Sequence, residues 1–183
     1  MIPKDTIPTR YPDDRSLDAD LGSWWVMHIK PNCEKQVASY LITRNVSYYF
    51  PTYTRKTRVG NLGRTRVAEV PVFRGYICFA LGKEDHHLLY GTHKFVRIIK
   101  VEDQERFVKE LSAVARAIVS GEHLTLRGGL VPGKRVLILA GPLEGTEGVV
   151  VGKPQTRRLA LSVKMFNQTV LVRMDPLTPL EVL

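Results

Sequence analysis

The sequence contains only two cysteines, Cys33 and Cys78, which lie too far apart to form a Cys-x-x-Cys pair. Disulfide frameworks and most zinc sites need more cysteines at closer spacing, so we expect two reduced thiols in a cytosolic protein. No apolar run approaches the roughly 18 to 20 residues that cross a bilayer. Residues 1–22 also lack the apolar segment of a secretory signal. These absences exclude a disulfide-rich secreted protein and one with membrane-spanning helices.

Motifs of enzymatic chemistry are missing as well. The glycine-rich residues 141–148 lack the Gly-Lys-Ser/Thr sequence that holds a phosphate, and there is no Gly-x-Ser-x-Gly motif. The five histidines are His28, His86, His87, His93 and His123. None has the spacing of a zinc-binding helix, so packed or surface histidines are the simpler interpretation. The sequence therefore predicts no enzyme activity, no metal and no cofactor.

Acidic side chains are in the minority, with 18 acidic residues against 27 basic ones and a formal net charge of +9. Residues 1–22 hold three basic and five acidic side chains, residues 23–122 hold sixteen and nine, and residues 123–183 hold eight and four. A basic body behind an acidic N-terminal segment favours nucleic acid or an acidic protein surface as partner. Solubility alone is the alternative explanation of the charge.

Residues 23–121 carry the pattern of one α+β domain. The predicted strands cover residues 23–29, 46–53, 70–81, with a break at Arg74-Gly75, and 95–101. One predicted helix begins at Pro31-Asn32 and a second covers residues 102–120. In the second helix Phe107, Leu111, Val114 and Ile118 recur at the spacing of one buried face. Residues 54–67 read as a hairpin with a mobile basic tip. The order of elements predicts helices packed on a mainly antiparallel sheet.

Residues 131–183 carry the pattern of a small β-barrel. Two runs rich in valine, isoleucine and leucine flank a turn with Gly141, Pro142 and Gly145, and further β-rich stretches cover residues 159–166 and 169–173. Residues 122–130, which contain Gly128-Gly129, are predicted to be a linker. Residues 1–22 hold three prolines and one glycine among scattered charges, and we predict a mobile tail there.

Several residues are candidates for contacts with partners. Because neighbouring strand residues face opposite sides, Trp24 and Trp25 cannot share one buried face, nor can Tyr48, Tyr49 and Phe50. Some of these aromatic side chains should therefore form a partner surface. The basic residues of the hairpin are candidates for phosphate contacts, with a solvated loop as the alternative: Arg55, Lys56, Arg58, Arg64 and Arg66. The predicted turn Met165-Phe166-Asn167 places a phenylalanine where a partner could reach it.

Four segments of the chain, residues 23–28, 71–79, 133–150 and 161–172, together carry a resemblance to the NusG family of transcription elongation factors. Residues 23–28 (Ser-Trp-Trp-Val-Met-His) are similar to the opening strand of that family. Residues 71–79 (Pro-Val-Phe-Arg-Gly-Tyr-Ile-Cys-Phe) resemble its Pro-Leu-Phe-Pro-Gly-Tyr motif, with Arg74 in place of a proline. Residues 133–150 resemble the KOW motif, and residues 161–172 resemble the closing hairpin of the family. The resemblance implies an N-terminal α/β sandwich (NGN-type) domain followed by a small SH3-like KOW β-barrel.

The resemblance also implies contacts. An apolar depression of the N-terminal domain would accept the clamp of RNA polymerase, and the implied contact residues are Trp25, Tyr49, Phe50, Phe73, Tyr76 and His87. Phe73 and Tyr76 match the family motif best. The KOW barrel would bind a ribosomal small-subunit protein or the termination factor Rho through Met165, Phe166 and Asn167. The implied molecule is a cytoplasmic monomer with no membrane contact.

Departures from the family pattern, among them Arg74 and the compact turn at Asn45, suggest a specialised, RfaH-like antitermination paralogue. In such paralogues residues after the first strand read exposed non-template DNA, and the corresponding positions here are Lys30, Gln36 and Tyr40. The predicted function is that of a non-enzymatic elongation factor that binds RNA polymerase and modulates pausing, termination or antitermination. The alternative is an RNA-binding, ribosome-associated KOW-domain protein.

Overall fold

A computed structural model describes residues 7–59, 64–129 and 131–183 of the chain. It divides into two compact units, an N-terminal unit of residues 1–104 and a C-terminal unit of residues 105–183. The predicted hairpin tip at residues 60–63, and residues 1–6 of the predicted tail, lie outside the described residues. The boundary between the units falls inside a helix and not at residue 121, where the sequence pattern placed the end of the first domain.

The N-terminal unit contains seven of the strands and one α-helix. In chain order these are β1 (Arg10–Tyr11), β2 (Ser23–Ile29), α1 (Glu34–Thr43), β3 (Ser47–Tyr49), β4 (Thr52–Val59), β5 (Arg64–Pro71), β6 (Tyr76–Leu81) and β7 (Phe95–Lys100). Two 3-10 segments, Leu17–Ala19 and Lys83–Thr92, complete the unit. An antiparallel five-stranded sheet has the order β1-β3-β6-β2-β7, and β4 and β5 form a separate two-stranded sheet. The mixed α+β class predicted from the sequence is confirmed.

The core of this unit lies on one face of the five-stranded sheet. Alternate residues of β2 and β6, such as Met27, Ile29 and Phe79, pack there against Val37 and Leu41 of α1. These side chains are between 0% and 2% exposed, so their burial is close to complete. Removal of this apolar surface from water is the main stabilising contribution to the unit. The strand and helix predicted at the start of the domain are confirmed.

Residues 7–22 differ from the mobile tail that the sequence predicts. Strand β1 pairs antiparallel with β3, with Arg10 opposite Tyr49. The backbone N–H of Phe50 donates to the carbonyl of Thr9 at 2.7 Å, and Leu17 is buried. The physical reason is that β3 would otherwise be an unpaired edge strand, and the N-terminal segment satisfies its hydrogen-bonding groups.

A buried carboxylate closes this N-terminal segment into a loop. The side chain of Asp20 is 0% exposed and contacts Arg10 at 2.6 Å and Arg15 at 2.9 Å. Arg10 also lies over the indole ring of Trp24, with its guanidinium carbon 5.9 Å from the ring centroid. Arg15 donates to the hydroxyl of Ser47 at 3.0 Å. The segment is therefore tied to the sheet by charge as well as by strand pairing.

The C-terminal unit consists of a helix and an antiparallel sheet. Its elements are α2 (Gln104–Val119, whose first residue belongs to the N-terminal unit), β8 (Leu124–Gly128), β9 (Arg135–Ile138), β10 (Glu147–Val151), β11 (Arg158–Val163), β12 (Gln168–Arg173) and β13 (Leu180–Val182). Six strands form one sheet in the order β13-β9-β10-β11-β12-β8, which we call the C-terminal sheet. Helix α2 buries Phe107, Leu111 and Val114, as its spacing predicts.

Strand β8 occupies residues that the sequence assigns to a linker. Leu124–Gly128 pair with β12 along the whole of their length, from Leu124 opposite Val172 to Gly128 opposite Gln168. A short stretch rich in leucine and threonine suits a strand at a sheet edge. The sequence pattern did not show this because the adjacent Gly128-Gly129 is typical of a flexible connection.

Candidate functional site

Tryptophan side chains lie on both faces of the five-stranded sheet. Trp25 is half-buried beside the core that contains Met27, and its indole Nε1 donates to the carbonyl of Leu81 at 3.2 Å. Trp24 lies on the opposite face, is 3% exposed, and donates from Nε1 to the carbonyl of Leu17 at 3.1 Å. The two residues point to different faces, as predicted. The N-terminal segment thus supplies the hydrogen-bond acceptor for the Trp24 side chain.

The three aromatic residues around β3 do not form a partner surface. Tyr48, Tyr49 and Phe50 are 0%, 6% and 7% exposed, although the sequence pattern predicted that one of them would face a partner. The hydroxyl of Tyr48 donates to the carbonyl of Pro8 at 2.7 Å. Burial raises the pKa of the Tyr49 phenol. Both faces of this strand are covered, so Tyr49 and Phe50 offer a polymerase little surface.

The corner between β5 and β6 contains the two residues that match the family motif best. Phe73 is 1% exposed and belongs to the core, which corrects the expectation that it lines an open depression. Tyr76 is half-buried, and its ring stacks on His28 with 4.9 Å between centroids. Gly75 adopts a φ of 76° at the corner, a conformation that favours glycine. Of the two candidates, only Tyr76 keeps accessible surface.

The Lys83–Thr92 segment contacts β2 through a second pair of rings, His86 and Trp25. The imidazole of His86 meets the indole of Trp25 edge-on, with centroids 4.4 Å apart. Burial, and then the charge of Lys83, lower the pKa of His86, while neighbouring carboxylates raise it. His87 is exposed, and its Nδ1 lies 3.0 Å from the carbonyl oxygen of Glu84. Trp25 therefore contacts the segment that carries His87.

The basic hairpin extends from the sheet as two strands of eight residues, β4 and β5. At about 3.3 Å per residue each strand is about 26 Å long. Arg55 lies opposite Ala68 and Arg66 lies opposite Thr57, and both arginines are exposed. The side chains of the other three candidates lie outside the described part of the chain: Lys56, Arg58 and Arg64. The basic hairpin therefore presents two exposed arginines that are available for contacts with phosphates.

The three residues predicted to contact DNA lie around α1. Lys30, at the end of β2, donates from Nζ to the carbonyl of His93 at 3.0 Å. The hydroxyl of Tyr40 donates to the carbonyl of Leu88 at 2.9 Å, so this tyrosine supports the Lys83–Thr92 segment. Gln36 is exposed. Lys30 and Gln36 keep accessible polar groups, whereas the hydroxyl of Tyr40 is already used within the unit.

The predicted KOW contact lies in a turn between β11 and β12, which we call the 164–167 turn. A 3-10 segment, Lys164–Phe166, is followed by Asn167 with φ 48° and ψ 44°, the left-handed conformation that asparagine tolerates. Met165 and Phe166 are half-buried and Asn167 is exposed. The ring of Phe166 lies 6.2 Å from that of Phe107 in α2. The sequence pattern missed this contact because it joins residues far apart in the chain.

The described residues lack the features of a metal site and of a membrane-spanning helix. These residues contain no group of three or more His, Cys, Asp or Glu side chains that could hold a metal ion. No helix in this part of the chain is long and apolar enough to cross a membrane. The two cysteines, buried Cys78 and half-buried Cys33, are free thiols.

Comparison with protein families gives a match over residues 22–125, more than half of the 183-residue chain, to the family described as "Transcription termination factor nusG". The matched residues include β2 to β7, both α-helices and the first residues of β8. Comparison with curated proteins gives no match. Strand β1, which pairs with β3, lies before the matched residues.

Proposed function

Because this chain belongs to the NusG family of transcription elongation and termination factors, we propose that it binds RNA polymerase and modulates pausing, termination or antitermination. The observation that carries the proposal is the family match over residues 22–125, which covers β2 to β7, the basic hairpin and the aromatic candidates of the N-terminal unit. The action is one of binding and not of chemistry. The cell compartment that follows from this role is the cytoplasm, and the chain acts as a monomer.

The candidates that keep accessible surface are Trp25, Tyr76 and His87. They form two separate parts of the proposed polymerase surface, because Tyr76 stacks on His28 on the sheet face opposite to Trp25. The first two rings are held by stacking or edge contacts with His86 and His28, so little side-chain entropy is lost when a partner binds. Rigid, half-buried aromatic side chains are typical of residues that carry much of the binding energy. The buried candidates would support this surface from the core: Tyr49, Phe50 and Phe73.

The basic hairpin and the α1 surface are proposed to contact nucleic acid. Exposed Arg55 and Arg66 support phosphate contacts by the hairpin, together with Lys56, Arg58 and Arg64 by their sequence alone. Lys30 and Gln36 are placed to meet non-template DNA. Each neutralised phosphate releases counterions, so this part of the binding should weaken steeply as salt is added.

The C-terminal sheet is proposed to be a KOW module that recruits a second protein. Its candidate contact is the 164–167 turn, and a ribosomal small-subunit protein or Rho is the proposed partner class. A factor that binds the elongating polymerase more tightly than the paused one shifts that equilibrium by the difference in affinity. A tethered second module then raises the local concentration of its partner. Departures from the family motif, such as Arg74, support an operon-specific, RfaH-like role.

The test is an in vitro transcription assay on a template with a defined pause and terminator, combined with a binding assay on the purified elongation complex. We expect wild-type protein to change pausing or read-through. Tyr76→Ala should weaken binding by roughly tenfold or more, since it truncates a rigid aromatic anchor. Tyr90→Ala is the matched control, because Tyr90 is another tyrosine of the same unit and is 59% exposed.

Two results would contradict the proposal. One is wild-type protein that changes neither pausing nor termination and does not bind the elongation complex. The other is equal loss of affinity in Tyr76→Ala and Tyr90→Ala, which would move the contact away from the β5–β6 corner. Co-purification of ribosomal RNA without polymerase subunits would favour the alternative, an RNA-binding protein associated with the ribosome.

A further inference from the structure

The 164–167 turn is held on one side by helix α2. The carboxylate Oε2 of Glu110 accepts a hydrogen bond of 2.9 Å from the backbone N–H of Lys164. The ring of Phe107 lies 6.2 Å from that of Phe166, the residue proposed to contact a partner. A third contact joins the same helix to the sheet, where Arg116 donates to the hydroxyl of Thr146 at 2.9 Å. The turn proposed as a partner site is therefore already in contact with this chain.

Strand β8 holds the same turn on its other side. The backbone N–H of Gly129 donates to the carbonyl of Asn167 at 2.8 Å, and the hydroxyl of Thr169 donates to the carbonyl of Gly129 at 2.9 Å. At the other end of the pairing the N–H of Arg173 donates to the carbonyl of His123 at 3.2 Å. Because bonded and non-bonded pairs alternate in an antiparallel ladder, Thr125 and Arg127 direct their backbone groups toward β12.

The two paired strands differ greatly in how firmly they are packed. Four consecutive residues of β12, from Thr169 to Val172, are buried. Strand β8 has no fully buried residue: three of its residues are half-buried and two are exposed. It is preceded by Gly121 with φ 69° and followed by Gly129 with φ 78°, and a Cβ at either position would meet no atom within 4 Å. Displacement of β8 from the sheet would therefore leave the buried core residues in place, whereas displacement of β12 would expose them.

We propose that β12 and the 164–167 turn form one strand-accepting partner surface, whose occupant in this structure is the chain's own α2–β8 segment. A partner binds there by displacing β8. Once β8 leaves, β12 becomes an edge strand, and an edge strand is a template for pairing with another chain. The pairing of β8 with β12 shows what kind of segment β12 accepts. The partner is therefore an extended protein segment with aliphatic side chains at alternate positions, like Leu124 and Leu126. This inference rests on the proposed role of the C-terminal sheet in recruiting a second protein.

Because β8 pairs with β12 within the same chain, the partner surface is accessible only when β8 has left it. A tethered strand competes at an effective concentration of about 1 mM or more, so a partner segment with the same contacts would need at least that concentration to displace it. A partner with further contacts, or an event that pulls α2 away, would open the site. The surface would then respond to the state of α2, which lies within the family-matched part of the chain.

The test uses proline variants of the full chain and a labelled peptide with the sequence of residues 122–129. Thr125→Pro removes a backbone N–H that faces β12, so β8 should detach. Gly128→Pro is the matched control, because the backbone N–H of this residue points away from β12 and its Cβ position is open. Arg127→Pro is a second release variant nearer the strand end, for use if Thr125→Pro unfolds the sheet. Fluorescence anisotropy measures peptide binding, and hydrogen exchange measures protection of the Thr169 and Leu171 amides.

We expect the release variant to exchange the Thr169 and Leu171 amides faster than wild type and to bind the peptide at least about tenfold more tightly. Added peptide should restore protection of both amides, and Gly128→Pro should behave like wild type. Equal peptide affinity in the wild type, the release variants and Gly128→Pro would overturn the proposal, and so would amides that stay protected in both release variants. No polymerase takes part in the assay, so this failure would leave the proposed polymerase binding untouched.

Discussion

Replacement of Asp20 is the sharpest test of the N-terminal segment. The Asp20 carboxylate is fully buried and lies between Arg10, which is 14% exposed, and Arg15, which is 36% exposed. Asp20→Asn keeps the shape of the side chain and removes its charge. Arg10 then remains in a mostly buried position without a counterion, while Arg15 can regain water. The attachment of the segment to β3 and to the ring of Trp24 should weaken.

The expected cost follows from these exposures. Removal of one partner from a buried ion pair destabilises proteins by about 3–5 kcal/mol. Here the value should lie lower, because Arg15 rehydrates and Arg10 keeps a hydrogen bond of 3.3 Å to the carbonyl of Tyr48. We therefore expect the free energy of unfolding of the N-terminal unit to fall by about 2–3 kcal/mol. With a urea m-value of about 1–1.5 kcal/mol per molar, the midpoint should fall by about 2 M.

Tryptophan fluorescence suits this measurement, because both tryptophans of the chain, Trp24 and Trp25, lie in the N-terminal unit. The signal therefore follows that unit even if the C-terminal unit unfolds separately. Asp13→Asn is the matched control, since it removes the same charge from an exposed position in the same segment. Its effect should stay within about 0.5 kcal/mol. Equal midpoints for Asp20→Asn and Asp13→Asn would refute the docking of residues 7–22.

Three further predictions concern single side chains. A thiol reagent at pH 8 should modify Cys33 and leave Cys78 intact in the folded protein, because burial raises the pKa of the Cys78 thiol; rapid reaction of both would contradict the buried position. Burial lowers the pKa of His86, so the folded state resists protonation of this side chain and the stability of the N-terminal unit should decline as the pH falls below about 6.5. His86→Gln should flatten this decline when urea unfolding is measured at pH 7 and pH 5. An unchanged decline in the variant would contradict the role of His86. Asn167→Val should destabilise the C-terminal unit by about 1–2 kcal/mol because a β-branched residue is strained at φ 48°, while Asn167→Gly should stay near zero in the same thermal melts.

Much of the fold could be predicted because local patterns specify it. Strand β2 and helix α2 appear where alternation and the spacing of Phe107, Leu111 and Val114 place them. The break at Arg74-Gly75 separates β5 from β6, as glycine at positive φ requires. These features depend on a few neighbouring residues, so a single chain carries enough information for them.

The candidate site could be predicted only in part. Phe73 matches the family motif but is buried, and Tyr49 and Phe50 are covered on a strand whose alternation suggested one open face. Whether a strand face is open depends on what lies over it, and the sequence does not show that. His87 and Arg55, by contrast, are exposed at the positions where the sequence predicted contacts. Their roles in binding stay predictions.

The sequence by itself determined the α+β class, the basic charge, the absence of catalytic motifs and the turn at Asn167, because composition and short-range backbone preferences specify such features. Tertiary structure alone decided that Asp20 lies between Arg10 and Arg15, and that residues 124–128 pair with β12 as a strand. Both outcomes arise from edge strands whose backbone groups need partners, and those partners come from segments that look flexible in the sequence. Long-range pairing of this kind leaves no local pattern, so it becomes visible only once the chain is folded.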